Sequence, residues 1–572
     1  MITDDYVSTR TRSKARLATN KAVMSKAHEE GGDWTSSERL ASVFLTLGIT
    51  GNAGMAEAGS AGTAQAGNAG MAKAGNAEAP PGEEEIETIN GPENEPATYE
   101  AALRSPQARE WEEAMRQEWQ ALLENHTFDA VQGRNHPLDA DRDRDQGSKQ
   151  TEGSGEPIGC KWVFRRKINP DGSTRYKARL VIKGYAQKEG IDYDETYAPV
   201  SKMTTVRLLL ALSVQHGWNV DHMDVVTAFL NPKIDRDNIH MATPPAIEWL
   251  EPYMPDGSVL LLRKALYGLK QAPRLWFEDI NGYLQSLGFR QSAEDPNLYL
   301  QPGVLLILYV DDLLIAYDGS KGKGHEIKRL LQAKYKMCDL GAVKRFLGIE
   351  IEREEDGSIS ICQRTYIDTI LKRFGQQDAK SAKTPLDHQV DLANTNCKDK
   401  LANRKEYLSI VGSLMYAALG TRPDIAFSVT ALSRYNVQPL EMHLTAARRV
   451  LRYLKTTSEL RIHYRRLPNT HISVVGFTDS DWAGNLTTWK SIGGCIFGLG
   501  YIDGNNVLVT SGLIHWQAKS QTVVALSTLE AEYIACSHAT RESLWLKRMT
   551  KEAADRMSVQ VSEGPVPIGC DN

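Results

Sequence analysis

The chain lacks the cysteine spacing that builds metal sites or disulfide frameworks. Its seven cysteines (Cys160, Cys338, Cys362, Cys397, Cys495, Cys536 and Cys570) are scattered, with no CxxC pair. That excludes a zinc-ribbon or disulfide-stapled domain and suits a reducing compartment. Long apolar runs are also missing: none approaches the roughly 20 residues that a membrane span needs. No secretory leader is legible, and the basic cluster from Arg10 to Arg16 reads as a solvated tail. Net charge is only −5, with charged residues at 24%. No global excess marks a nucleic-acid binder, so a cationic surface must be sought locally. Large side chains are nearly absent from residues 51–78, where GNAGMAEAG from Gly51 recurs as GNAGMAKAG from Gly67. So little burial cannot offset ordering entropy, so residues 1–94 are expected to be disordered.

Order is expected from about Tyr99. Ala101, Leu103, Trp111, Met115, Trp119, Leu122 and Leu123 recur at helical spacing. Residues 139–156, rich in Asp, Arg, Gly and Ser, read as a flexible insert. At 572 residues the chain exceeds one core, and globular composition resumes after Gly159.

Three patterns then carry chemistry. Residues 160–190 hold nine Lys/Arg against Asp171 and Glu189, a local net of +7, and the charges alternate with Val163, Phe164, Leu180, Val181 and Ile182. With Asn169-Pro170-Asp171-Gly172 as a turn, this is a cationic hairpin suited to phosphates. Residues 303–319, GVLLILYVDDLLIAYDG, describe a buried hairpin with Asp311 and Asp312 at its tip. Adjacent buried carboxylates need a counter-charge. Asp224, followed by an apolar run, supplies a third carboxylate. One strand and one hairpin bearing three carboxylates meet the needs of nucleotidyl transfer, in which two Mg²⁺ ions about 3.5–4 Å apart clamp the attacking and leaving oxygens. Near the C-terminus, residues 474–484 form a strand ending in Asp479 and Asp481, and 491–499 and 512–516 suggest further strands. A helix opens near Ser527, with Glu530 as a cap partner and Glu532 beyond it.

The motifs Lys161-Trp162-Val163-Phe164, YKARLVIKG from Tyr176, DYDETYAPV from Asp192, MDVVTAFL from Met223, ALYGLKQAPRLW from Ala265, YVDD from Tyr309 and FLGIEI from Phe346 resemble, in order and spacing, the reverse transcriptase of copia-type LTR retrotransposons. The likeness runs from Glu95 to the end of the chain. It implies an α+β and α/β multidomain chain: a disordered N-terminal region (1–94), right-hand polymerase fingers and palm (95–345), thumb and connection (346–470), and an RNase H-like domain (471–572). It also implies an RNA-directed DNA polymerase extending a primer 3′-OH. Its metal ligands and catalytic residues would be Asp224, Asp311 and Asp312. Of the last two, Asp311 would hold metal most directly, because successive strand residues face opposite sides.

Lys177 and Arg179 would meet the triphosphate, and Phe229 would be the gate against a ribose 2′-OH. Tyr267, Gly268, Lys270 and Gln271 would line the nucleotide and template side. Phe346, Leu347 and Gly348 would grip the primer. Asp479, Glu532 and Asp571 would serve RNase H, with Asp481 secondary and Glu530 the competitor for Glu532. The implied cofactor is a pair of Mg²⁺ ions, with Mn²⁺ as a substitute. The implied partners are an RNA template, a DNA primer, the RNA–DNA hybrid and deoxynucleoside triphosphates, and no membrane.

The expected address is the cytoplasm, in a virus-like particle, or the nucleus. Asn231-Pro232 replaces the usual Asn-Gly, and Asn485, Thr488 and Trp489 depart from the usual acidic and Arg residues. The chain stops after Cys570-Asp571-Asn572, before the family's last acidic motif, so a truncated RNase H is expected. No Asp-Thr/Ser-Gly protease motif or His/Cys integrase cluster is found, so the chain alone is not expected to process or integrate a copy. The competing reading is an inactive remnant that only binds nucleic acid.

Overall fold

The computed structural model describes residues 95–132, 156–168, 173–387, 390–393, 400–468, 472–485, 487–503 and 508–570. The expectations for 1–94, most of the 139–156 insert, the 169–172 turn and Asp571 lie outside the described residues. Helices and sheets are mixed throughout, and packing separates two compact units. Among the described residues no helix is long and apolar enough to cross a membrane.

In the smaller unit, α1 (Ala108–Glu124) buries Trp111, Ala114, Met115, Trp119 and Leu122. That spacing is one helical stripe. It packs on the hairpin β1 (Cys160–Ile168) and β2 (Thr174–Ile182), paired from Cys160↔Ile182 to Ile168↔Thr174. Alternation sorts the hairpin's faces. Trp162, Phe164, Ala178, Leu180 and Ile182 are buried, while Lys161 and Arg165 stay exposed. Trp111 anchors the contact, meeting Phe164 edge-on at 5.3 Å and Tyr176 at 4.7 Å. A three-stranded sheet of Phe128–Gln132, Ser258–Leu262 and His240–Ala242 and the helix Ala272–Ser286 complete the unit.

The larger unit is built around α2 (Met203–His216), which is buried from Thr204 to Gln215. A helix apolar all round belongs inside a core. Next to it runs a six-stranded sheet. Its central strands are β3 (Asn219–Val225), β4 (Val304–Tyr309) and β5 (Asp312–Tyr317), and β6 (Met337–Ala342) flanks β3 at the edge. A second, four-stranded sheet combines Arg345–Phe346, Ile349–Arg353, Ile359–Cys362 and Ile462–Tyr464.

A helical cluster follows, including α3 (Arg404–Gly420), Ala426–Ser433 and Glu441–Thr456. Its lock is the segment Thr421-Arg422-Pro423-Asp424. The Arg422 guanidinium donates to both Asp424 oxygens at 2.9 and 2.6 Å, and to the Thr457 carbonyl at 3.0 Å.

The C-terminal sheet pairs β7 (Ser473–Ser480), β8 (Ile492–Ile502) and β9 (Leu508–Ser520), with Ile568–Gly569 parallel to β7. The long helix α4 (Thr528–Met557) packs on β7 and β8. Within this one compact unit the second sheet begins at Arg345 and the C-terminal sheet at Ser473.

The contact between α2 and β9 is polar and buried. The Arg207 guanidinium donates to the carbonyls of Ile514 (2.9 Å), Leu419 and Gly420 (both 3.0 Å), and stacks on Trp516 at 3.6 Å. His515 lies beside it, with Nδ1 3.0 Å from the Thr204 hydroxyl and Nε2 3.7 Å from Glu542. Burial, helped by the Arg207, His538 and Lys202 charges, drives His515 down to about 3 from 6.5.

Two outcomes are expected. A group whose folded pKa is depressed stabilises fully above its unfolded pKa and loses that stability as pH falls through the window. Wild-type stability should therefore fall below pH 6.5 by up to about 1.4 kcal/mol per unit from this residue. His515→Asn should flatten that slope in denaturant titrations at stepped pH. Arg422→Ala, which strands the buried Asp424 carboxylate, should lower the unfolding free energy by about 3–5 kcal/mol in urea.

Candidate active site

Asp224, Asp311 and Asp312 all lie at one end of the six-stranded sheet. β3 and β5 are antiparallel with Asp312 directly opposite Asp224, and β4 and β5 pair with Asp312 opposite Tyr309. The hairpin loop is thus Val310 and Asp311, and the Asp311 carbonyl accepts the Val225 N–H at 2.8 Å. Val310 sits at φ +58°, a conformation that costs a β-branched residue on the order of 1–3 kcal/mol and clusters at functional sites. The strands behind the loop are apolar: Leu305–Leu308 and Leu313–Ala316 are all buried. The three carboxylates are only half-buried.

Residues 222 and 224 of β3 share a face with Asp312. The His222 Nε2 meets Asp312 Oδ1 at 2.7 Å, and its ring stands edge-on to Phe346 at 5.6 Å. On the opposite face, Asp221 accepts the Lys328 ammonium at 2.6 Å and the Tyr317 hydroxyl at 2.8 Å. Lys328 also pairs with Asp339 of β6 at 2.8 Å.

In this unit Phe346 ends the strand Arg345–Phe346 and is fully buried, and Leu347 and Gly348 turn the chain into Ile349–Arg353. Lys177, Arg179, Phe229, Tyr267, Lys270 and Gln271 all belong to the smaller unit. There Lys177 and Arg179 share a face of β2. The Arg179 guanidinium lies 4.9 Å over the Tyr267 ring, and Phe229 meets that ring edge-on at 5.1 Å. Lys270 donates to the Tyr193 hydroxyl at 3.0 Å and the Gln187 carbonyl at 3.3 Å.

Gln271 is 0% exposed, and its amide bonds the Asp192 carbonyl (2.9 Å) and Gln187 (3.0 Å). It braces the loop from inside. Gly268 is at φ +99°, and a Cβ there would lie 2.1 Å from the Ile182 carbonyl oxygen. Only glycine lets this turn lie backbone to backbone on β2.

A second pair of carboxylates meets in the C-terminal sheet. Asp479 on β7 and Glu532 on α4, each 4% exposed, share the Ser480 N–H, at 2.7 and 3.2 Å respectively. Cys570 Sγ is 3.7 Å from Glu532. Asp481 instead accepts the Ile492 N–H, and burial raises its carboxyl to about 6. Glu530 is turned to capping: it accepts the Leu526 N–H at 2.7 Å, and the Ser527 hydroxyl accepts the Glu530 N–H at 3.1 Å. Asp571 lies outside the described residues.

Sequence reasoning passed over His222, although its spacing of two from Asp224 on a strand was a usable signal. It also passed over Glu118, whose carboxyl burial raises while the Leu180 N–H and the Lys177 and Arg179 charges oppose the shift. Tyr416, whose hydroxyl reaches Leu347, had no signal at all.

The donors at the hairpin suit hard divalent cations, being carboxylates on neighbouring strands with solvent access. Among the described residues, no three His, Cys, Asp or Glu side chains are gathered into a metal-binding group. The fit therefore rests on donor type and strand register.

Residues 150–388 match the family model described as reverse transcriptase (RNA-dependent DNA polymerase). The chain is 35% identical, over 80% of its length, to a retrovirus-related Pol polyprotein from transposon TNT 1-94 of Nicotiana tabacum, covering 33% of that polyprotein. It is 36% identical, over 84% of its length, to the corresponding polyprotein from transposon RE1 of Arabidopsis thaliana, covering 30% of it. A putative transposon Ty5-1 protein of Saccharomyces cerevisiae is 34% identical and matched over 100% of its own length and 56% of this chain. The chain thus spans about a third of the plant polyproteins it matches. A foamy viral protease–reverse transcriptase, solved with double-stranded DNA, aligns with 77% of this chain and 61% of its own, at 13% identity and TM-score 0.41. That level is too low to establish a common fold.

The two α4 glutamates should separate in stability measurements. Glu530→Ala removes a capping partner and should cost about 1 kcal/mol in urea denaturation. Glu532→Gln neutralises one of two buried carboxylates that share the Ser480 N–H, so it should cost less than Glu530→Gln or stabilise, and a larger loss would contradict that shared position.

Proposed function

Because the chain belongs to the copia-type reverse transcriptase family, as the reverse transcriptase region of a retrotransposon Pol polyprotein, we propose that it works as an RNA-directed DNA polymerase whose chemistry centres on Asp224, Asp311 and Asp312. The observation that carries this reading is the register Asp312↔Asp224 with Asp311 in the adjoining two-residue loop. It supports a palm made from the six-stranded sheet. Asp224 and Asp311 are the proposed direct ligands. Asp312 is held by His222 and acts as their support. When bound, two divalent ions would supply charge neutralisation and activation of the primer 3′-oxygen.

The residues themselves do the positioning. The Val310–Asp311 loop, tied to β3 through Val225, presents its carboxylate from a rigid hairpin, and the Asp221–Lys328–Asp339 cluster secures the strand behind it. Lys177 and Arg179 are the proposed partners of the incoming triphosphate. Phe229, braced on Tyr267, is the proposed gate against a ribose 2′-OH. Phe346, Leu347 and Gly348 are the proposed primer grip. Asp479 and Glu532 are the proposed core of an RNase H centre acting on RNA paired with DNA. RNA template, DNA primer and deoxynucleoside triphosphates follow as substrates.

The test is primer extension on poly(rA)/oligo(dT) with Mg²⁺ or Mn²⁺. The native chain should extend. Asp311→Asn should lose more than the ~10–100-fold that removing an outer partner of a metal site costs. A folded native chain that binds the duplex and extends nothing would overturn the reading and leave a nucleic-acid-binding remnant.

A further inference from the structure

The turn at Leu347-Gly348 is unusual in its backbone and in what holds it. Leu347 stands at φ +47° and Gly348 at +70°. A leucine in the left-handed region persists only where its surroundings over-determine it. Here the surroundings come from α3, about 70 residues further along the chain. The Tyr416 hydroxyl donates to the Leu347 carbonyl at 2.5 Å, and a Cβ on Gly348 would lie 2.7 Å from the same oxygen. The turn is therefore seated directly on that hydroxyl. Tyr416 in turn leans on the Tyr366 ring at 4.7 Å, and the Tyr366 hydroxyl donates to the Ser413 carbonyl at 3.0 Å.

On its other side the turn reaches the carboxylates. Phe346 receives the ring of His222 at 5.6 Å and that of Tyr309 at 6.3 Å, both edge-on. His222 bonds Asp312, and Tyr309 pairs with Asp312 across the hairpin. A continuous set of contacts thus runs from Asp312 through His222, Phe346 and Leu347 to Tyr416.

We propose that Tyr416 is a positioning residue for polymerisation: its hydroxyl holds the Leu347-Gly348 turn in the place that presents the primer 3′ end to Asp311 and Asp312. This rests on the reverse-transcriptase reading above. Burial and the neighbouring Tyr309 phenol push the Tyr416 pKa up, so the hydroxyl remains a donor through the neutral range.

The test uses the full chain and Tyr416→Phe, which keeps the ring and removes the hydroxyl. On poly(rA)/oligo(dT), kcat for nucleotide addition should fall on the order of tenfold or more. KM for dTTP and duplex affinity should stay within about twofold, and the unfolding temperature should fall no further than the loss of one hydrogen bond explains. A 2-aminopurine at the primer terminus, read in the binary complex without metal, should report a changed environment in Tyr416→Phe. Gly348→Ala should be less damaging in the Tyr416→Phe background than alone, because the oxygen that its Cβ meets is gone.

Wild-type kcat and an unchanged 2-aminopurine signal in Tyr416→Phe would overturn the proposal. So would a loss of kcat matched by a fall in unfolding temperature larger than one hydrogen bond explains, which is ordinary packing. A wild-type chain that extends nothing would defeat the polymerase reading itself, an outcome distinct from equal activity of the two proteins.

Discussion

The register of β3 against β5 is the constraint on which the candidate chemistry depends. In an antiparallel pair, a slip of one residue turns every side chain to the other face. Such a slip would move Asp224 away from Asp312 and carry Met223 out of the core. The register is held from both faces of β3. On one, His222 bonds Asp312. On the other, Asp221 accepts Lys328 and Tyr317, and Lys328 reaches Asp339 on the neighbouring strand. The buried Lys328 cation offsets the buried Asp221 carboxylate, which would be costly alone, and also pairs with the more exposed Asp339. The two faces of β3 thus differ: the face that carries Asp221 brings its own cation, Lys328, while the face that carries Asp224 is paired through His222 and Asp312.

Within the same unit a buried helix, α2, packs between this sheet and the C-terminal one. α2 is apolar nearly all round, yet Arg207 is among its most constrained side chains. Burial draws its pKa down to about 10, so it stays charged at neutral pH, with three carbonyls and the Trp516 face as partners. A charge so placed tolerates little change in its surroundings, because breaking any of these bonds leaves the cation under-solvated. His515, kept neutral beside it, belongs to the same arrangement. The C-terminal sheet is consequently part of the body that supports the hairpin carboxylates, whatever its own chemistry.

Much was legible in the sequence where pattern and consequence are local. The alternation around residues 160–182 matches β1 and β2, and the apolar runs on either side of Tyr309-Val310-Asp311-Asp312 match β4 and β5. The helix at Ala108–Glu124 follows from a stripe of large residues at helical spacing. Other assignments needed the third dimension. Gln271 reads as a site residue from its motif, yet it is fully buried and spent on loop hydrogen bonds. The resemblance favours Glu532 over its competitor Glu530, but both sit in the first turns of one helix. The capping bonds of Glu530 and the meeting of Glu532 with Asp479 at the Ser480 N–H separate them.

What the sequence determined alone is the set of local elements and the chemical character of their ends: a cationic hairpin, an acidic hairpin tip and an acid-capped helix. These follow from periodicity and residue type, which act over a few residues. The tertiary structure decided which distant groups meet: Asp312 with Asp224 and His222, Arg207 with Trp516, Leu347 with Tyr416. Such contacts depend on strand register and helix docking, which are set by the cooperative burial of whole surfaces. No local pattern encodes them.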